Sequence, residues 1–533
     1  MPVPLANVFS RTNFSALDWG IVAGYLSVSV VIGLLVRKYV RNMADFVTAG
    51  RGLGTCLGIA TLTGTEMGLV TLMYSAQKGF VGGFAAFHIA VAAGVVTFFV
   101  GLTGLIVYRL RKLNLLTIPE FYERRFGPKT RILGGVMLAL GGILNMGLFL
   151  KVGSIFIVGV TGLSTEGWAL PTVMTVLLVL VLVYTVLGGM ISVVITDYIQ
   201  FVVLSAGMIG ITILSARAVG WEGIFGTIQA EMGERGFNPL AAEGGFGIEY
   251  VIWMVFLGLV GCALWPTAVA RALAAESPQT VKKQFMWSSV SYMIRNMAPY
   301  FWGVCAFGYI ATQSPELQEA FFPAEGTGTE MNNLYAMPIF LGRVLPAGVL
   351  GIITAAMIAA FMSTHDSYLL CWSSVITQDI VAPIMKNRLS TSGRIRLTRI
   401  LIVAIGAYIL YWGLIYKGAD DVWDYMAVTG AIYFTGAFAL LVGGLYWKRA
   451  SSTGAVMALV AGCSAILGLG PVQDLLGITI PSARMGLISI GLTVTAMVVG
   501  SLLFPDKPKP AAEAPSRNET AFSAGAASSK EDV

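Results

Sequence analysis

Ser363, Thr364, His365, Asp366 and Ser367 lie together inside Gly351 to Ile380, a stretch that is otherwise apolar and long enough for a helix. A polar cluster of this kind is expensive in an apolar segment. In a helix, Ala359, Ala360, Ser363, Asp366 and Ser367 recur at three- and four-residue spacings and share one side, a narrow stripe of small and polar groups. Hydroxyls and a carboxylate beside small residues offer oxygen ligands to a hard cation and let a neighbouring backbone come close. His365 points nearly the opposite way, which suits packing or an interhelical hydrogen bond.

A second cluster interrupts Gly52 to Gln77, where Thr63, Gly64, Thr65, Glu66, Met67 and Gly68 follow one another in mid-segment. Two glycines and a carboxylate there predict an unwound helix, whose freed carbonyls and half-helix ends can hold ions and solutes. A later apolar segment is punctuated in the same way by Gly258, Gly261 and Pro266. Lys151 and Arg295 also fall inside apolar runs. Each is either a counter-charge for an anionic solute or a structural cation that snorkels or pairs with an acid such as Asp366. His88 is a candidate for a cavity wall. No Ser/His/Asp order, phosphate loop or His/Cys ligand cluster supports an enzyme or a resident cofactor.

The elements that must position these residues are membrane helices. Of 533 residues, 56% are hydrophobic and 12% charged, with a mean hydropathy of +0.78, against the roughly 25% charged residues of soluble proteins. This is an all-α integral membrane protein. Apolar runs of about 20 residues mark about thirteen candidate spans, at 16–36, 52–77, 82–108, 131–160, 169–188, 191–215, 248–273, 284–311, 345–379, 396–416, 422–446, 453–471 and 484–504. Lys and Arg gather in alternate loops, which places the N-terminus outside, the C-terminus in the cytoplasm and the chain in the cell membrane as a multi-pass protein. The net charge of +6 therefore reflects loop topology, and no nucleic acid partner is inferred. All five cysteines lie in apolar segments and suggest neither a disulfide framework nor a metal site. Two long outer loops, about 217–247 and 312–344, could carry short helices or lids. The Pro-, Ala- and Ser-rich tail 505–533 cannot bury a core and is expected to be disordered.

Counting from the second span, two groups of five helices each open with an interrupted helix, as an inverted repeat requires. The organisation expected is 1–50 for the N-terminal end, extra first helix and inner loop, 51–217 for the first repeat, 218–247 for an outer loop, 248–450 for the second repeat, and 451–504 for two additional helices.

Phe46 to Gly54 (FVTAGRGLG), Leu116 to Phe126 (LTIPEFYERRF), Tyr184 to Gln200 (YTVLGGMISVVITDYIQ), Ala270 to Ser277 (ARALAAES) and Ala359 to Ser367 (AAFMSTHDS) resemble the motifs of the sodium/solute symporter family. The similarity spans about residues 15–450, with the spacing nearest the sodium/proline branch. It implies the leucine-transporter-type fold of five plus five inverted helices, with one helix before and two after. It also implies a sodium site at Gly64, Met67, Ala360, Ser363 and Thr364. Asp197, Asp366 and Ser367 match a second cation site of some members, with Asp366 replacing a hydroxyl and so opening a proton-coupled alternative. Glu66 matches an acid of the proline branch, and Asn145 a substrate position of some relatives. The aromatic positions of that branch correspond to Gly258 and Cys262 here, a departure that argues against proline as substrate. The function implied is sodium-coupled symport of a small organic solute, read as a carboxylate-bearing anion or zwitterion, by alternating access. A sensor input module working with a separate partner, and a channel, are the readings from other classes.

Overall fold

A computed structural model describes residues 9, 11–36, 51–163, 167–241, 246–323, 331–386, 388–416 and 421–506. Helices make up the fold, and the bridge between Leu53 and Ala275 is the isolated extended pairing among the described residues. In chain order the helices are α1 Ala16–Val36, α2 Thr55–Glu66, α3 Leu69–Gly82, α4 Phe87–Thr103, α5 Val107–Lys112, α6 Ile118–Phe126, α7 Pro128–Met146 and α8 Phe149–Thr161. They continue with α9 Ala169–Val219, α10 Trp221–Met232, α11 Ile248–Ala263, α12 Pro266–Ala274, α13 Pro278–Gln313, α14 Pro315–Phe321, α15 Ala336–Val344 and α16 Val349–Val375. The last are α17 Thr391–Ile415, α18 Val422–Tyr446, α19 Ser452–Gly462, α20 Gly470–Leu476 and α21 Ser482–Leu503. Helix is what an apolar chain must form in lipid, because each backbone N–H and C=O then finds its partner within the segment.

Eight stretches of described residues are long and apolar enough to cross a membrane, or nine if Ser452–Gly468 and Gly470–Leu476, bent by 83°, form one span. The thirteen expected spans are not all recovered as separate crossings, for two physical reasons. An interrupted helix divides its length: α2 has 12 residues, about 18 Å against a hydrocarbon core of about 30 Å, and needs α3 to complete it. The candidates 169–188 and 191–215, expected as two helices, lie on the single 51-residue helix α9. The two long loops, about 217–247 and 312–344, do contain short helices, α10 in one and α14 and α15 in the other. The tail beyond Asp506 and the stretch 37–50, which holds most of the first motif, lie outside the described residues.

The packing is of the inverted-repeat kind. Elements at equivalent places in the two helix groups meet: α2 packs on α12, α4 has its most extensive contact with α13, and α7 and α8 both reach α16. Where α3 meets α13 the backbones nearly touch, since a Cβ on Gly79 would overlap the Tyr300 carbonyl and one on Gly303 the Ala76 carbonyl. Such small-residue contacts are how membrane helices approach closely without a hydrophobic driving force between them. They fix α3 and α13 as adjoining walls of one central space.

Candidate functional site

The first interruption is narrower than the run 63–68 suggests. Thr63 to Glu66 remain helical, and the break is confined to Met67 (φ −97°, ψ 59°) and Gly68 (φ −74°, ψ 157°). The Met67 N–H turns back to the Thr63 and Gly64 carbonyls at 3.0 and 3.3 Å. The middle of α16 lies against this break. The Ser363 hydroxyl is within donating distance of the Gly64 carbonyl (3.2 Å) and of the Ala360 carbonyl (3.1 Å). Thr364 Oγ1 sits so close to Gly68 that any Cβ there would overlap it. The structure thus gathers Gly64, Met67, Ala360, Ser363 and Thr364 at one junction between α2, α3 and α16, presenting backbone and hydroxyl oxygens of the kind hard cations take.

One turn further along α16 the chemistry changes. Asp366 and Ser367 are fully buried, and the Ser367 hydroxyl donates to Asp366 Oδ1 at 3.2 Å. The same hydroxyl accepts from Arg271 Nη2 at 2.8 Å. Arg271 lies on α12 at 1% exposure, and the sequence motifs assign it no role. A cation inside the apolar run LWPTAVARALAA is the signal that could have found it. Neither base expected to pair with Asp366 does so: the Lys151 ammonium donates to the Tyr416 carbonyl at 2.7 Å, and Arg295 lines a cavity elsewhere. The side chain of Asp197 lies outside the described residues. His365 packs on the rings of Phe361 and Phe149, with centroids 3.8 and 5.8 Å away.

Of the three residues expected to punctuate the second interrupted segment, Pro266 marks the break: Gly258 and Gly261 are helical residues of α11, and the chain leaves the helix at Leu264 (φ −127°, ψ −23°) and Trp265 (φ −64°, ψ 127°). The cause is Pro266, which pushes its predecessor into extended backbone and starts α12 at the first helical position. Glycine by itself is tolerated in a membrane helix.

Between the two breaks lies a cavity of about 1070 Å³, counting its open mouth. Glu66, Asn145, Gly258, Cys262, Arg295 and Thr364 line it, whereas His88 and Lys151 do not. The His88 ring instead faces Phe246 and Tyr250, its Nδ1 2.7 Å from the Ala85 carbonyl. Asn145 is held by the Met426 carbonyl (2.7 Å) and the Thr429 hydroxyl (3.1 Å). Glu66 Oε1 accepts from the Thr267 hydroxyl at 2.5 Å, so a carboxylate on the first interrupted helix is tied to the second just past its break. The remaining wall mixes aromatic rings, Tyr74, Trp265, Tyr300 and Tyr368 among them, with aliphatic and small residues. Trp265 Nε1 donates to the Tyr368 hydroxyl at 2.7 Å.

Further polar contacts that the sequence does not announce tie distant segments together. Lys78 on α3 pairs with Asp421 (3.2 Å) and Asp424 (3.3 Å) at the start of α18. Asp379, fully buried in the π-helical turn Ile376–Val381 that continues α16, accepts from Thr117 (2.8 Å) and Arg131 (2.9 Å). Arg111 donates to the Ala275 carbonyl at 2.7 Å, beside the Leu53 bridge. These pairs join segments far apart in sequence, so periodicity along one helix carries no trace of them.

A helix interrupted against a buried oxygen cluster on α16, and a second interrupted helix across a cavity from it, match the way secondary transporters hold their ligands where helices unwind. Residues 46–462 match the sodium:solute symporter family, and the chain belongs to it. It is therefore a secondary active, sodium-coupled symporter of a small solute, and its coupling partner is the sodium ion. The chain is 24% identical to the sodium/sialic acid symporter NanT of Aliivibrio fischeri, covering 87% of this chain and 89% of that one. It is 24% identical to the sodium/glucose cotransporter of Vibrio parahaemolyticus, over 84% of each chain. It is 23% identical to the high-affinity proline transporter PutP of Bacillus subtilis, over 86% and 94%. Relatives with three different solutes match equally well, so overall identity carries no substrate. Among solved structures, a sodium-coupled sialic acid symporter in a substrate-bound outward-open state shares the fold, with a TM-score of 0.77 over 93% of this chain and 99% of that one at 20% identity.

Proposed function

We propose that sodium binds to the oxygens of Gly64, Met67, Ala360, Ser363 and Thr364, and that a small organic solute, an anion or zwitterion carrying a carboxylate, binds in the adjoining cavity. The observation that carries the first part is the Ser363 hydroxyl, which reaches carbonyls on both α2 and α16. An ion in that place ties the interrupted helix to α16 and favours the state in which solute is taken up; its loss to a low-sodium interior releases both. Arg295 supports the second part, as a buried cation on the cavity wall.

The finer architecture follows the same reading. Residues 51–217 and 248–450 form two five-helix inverted repeats linked by the outer loop 218–247, with one helix before, two after (451–504), the N-terminus outside and the C-terminus in the cytoplasm. Asp366, Ser367 and Arg271 form a charge-balanced cluster in which the guanidinium takes the place of a second diffusible cation, leaving one sodium ion per cycle. Support comes from the Arg271 to Ser367 hydrogen bond.

Replacing Ser363 and Thr364 together by Ala removes two oxygens from a cation, each worth about 1.5–3 kcal/mol. Sodium affinity should fall by about 100-fold or more, read as binding of radiolabelled sodium and as sodium-dependent thermal stabilisation. Wild-type sodium binding in that variant overturns the assignment.

A further inference from the structure

The cavity carries two opposite charges that form no ion pair with each other among the described residues. Arg295 is 5% exposed, and its Nε and Nη1 have no hydrogen-bond partner. The carbon of its guanidinium lies over the Tyr292 ring, 3.7 Å from the centroid. A guanidinium held over a ring keeps its in-plane N–H groups for a carboxylate. Glu66 lines the same cavity. Thr267 occupies one acceptor position of its carboxylate, and a carboxylate has about four. Among the described residues Glu66 and Arg295 form no ion pair with each other, within 4.0 Å, and neither pairs elsewhere.

A buried charge without a partner is strongly unfavourable and persists where function requires it. An anionic solute would satisfy Arg295 and leave Glu66 with a like charge for company. A neutral solute could hydrogen-bond to both but would bring a counter-charge to neither. A molecule with a carboxylate at one end and a cationic nitrogen at the other satisfies both and adds no net charge to a dry site. The cavity wall also includes Tyr74, Trp265 and Tyr368, and aromatic rings attract ammonium groups, alkylated ones included.

Resting on the cavity being the solute site, we propose that the transported solute is a zwitterion, an amino acid or N-alkylated amino acid, with its carboxylate on Arg295 and its nitrogen between Glu66 and the aromatic wall. Arg295 and Glu66 thereby become the specificity determinants of this transporter.

The test uses the purified full-length chain in sodium buffer and reads thermal stabilisation, which follows ligand affinity by mass action. The probes are isosteric pairs that differ in the cationic nitrogen: L-valine with isovalerate, L-phenylalanine with 3-phenylpropionate, and glycine betaine with 3,3-dimethylbutyrate. They are backed by a pool of the remaining amino acids and their N-methyl derivatives, and by a pool of sugars. The expected result is stabilisation by zwitterions, with the deaminated or nitrogen-free isostere of any active member at least about tenfold weaker. Glu66→Gln should erase that preference and Arg295→Gln should abolish both responses. Equal stabilisation by the anionic isostere, stabilisation by sugars alone, or no response to any zwitterion overturns the proposal, and none of these needs a variant to fold. Sodium-dependent stabilisation without solute is read separately, so failure of the zwitterion assignment is distinguishable from failure of the sodium site.

Discussion

The two helix interruptions occupy equivalent places in the architecture, yet the protein brings different chemistry to each. At Met67 and Gly68 the break is bare backbone pressed against two hydroxyls of α16, with Thr364 Oγ1 filling the space a Gly68 side chain would need. At Leu264 and Trp265 the break is made by a proline and covered by an indole that bonds to Tyr368. The first therefore offers oxygen atoms to an ion, and the second offers a ring and a hydrogen-bonded edge to a solute. A hydrogen bond from Thr267 to Glu66 joins them. Two breaks built from the same fold can divide ion and solute between them because the residues facing each break, rather than the break itself, set its chemistry.

The largest disruption of this contrast should come from Gly68→Val. The added Cβ cannot coexist with Thr364 Oγ1 in its present position, so Thr364 must turn away and the ion loses a ligand. Sodium affinity should drop by about 10- to 100-fold, as expected for one bond to a charged group. Solute affinity measured at saturating sodium should move far less. A variant that loses solute binding and keeps sodium binding would reverse the roles given to the two breaks.

Thr267→Val tests the link. Valine keeps the shape and removes the donor to Glu66, a charge-assisted bond worth about 1.5–3 kcal/mol. Because that bond joins the interrupted helices, sodium and solute affinities should both fall, each by about tenfold. The coupling between them, measured as the ratio of solute affinity with and without sodium, should shrink. An unchanged ratio would mean that the breaks communicate by another route.

Much of the first break is legible in the residues themselves. Glycines beside a glutamate in a long apolar run leave few alternatives to unwinding, and hydroxyls at helical spacing on Ala359 to Ser367 mark the face that receives it. The second break is easily misplaced because Gly258 and Gly261 look like Gly64 and Gly68, although in lipid only the proline forces the backbone out of the helix. Arg271 is hidden for another reason. Periodicity tells which face of α12 a residue occupies, but the helix it faces is a tertiary fact, and here that helix is α16, nearly a hundred residues away, |i−j| = 96. The same holds for Asp379, whose partners Thr117 and Arg131 come from the first half of the chain. Helix boundaries and spans need not coincide, since an interruption divides one span between α2 and α3, and one helix, α9, covers two apolar runs.

The smallest expected effect belongs to Trp265→Phe, and it isolates the second break most cleanly. Phenylalanine preserves an aromatic face on the cavity and loses the Nε1–H that reaches the Tyr368 hydroxyl. A neutral hydrogen bond contributes about 0.5–1.5 kcal/mol, so solute affinity should weaken by about three- to tenfold. The sodium-only response should be preserved, because the oxygens proposed for the ion lie on Gly64, Met67 and α16 and none belongs to α11 or α12. The same substitution leaves the Tyr368 hydroxyl on the wall of the cavity with one partner fewer. Tyr368→Phe in the same background should then cost little more, since the bond it would break is already gone. Strict additivity of the two changes would instead show that the rings act on the solute independently, and that the second break is walled by separate surfaces rather than by one joined pair.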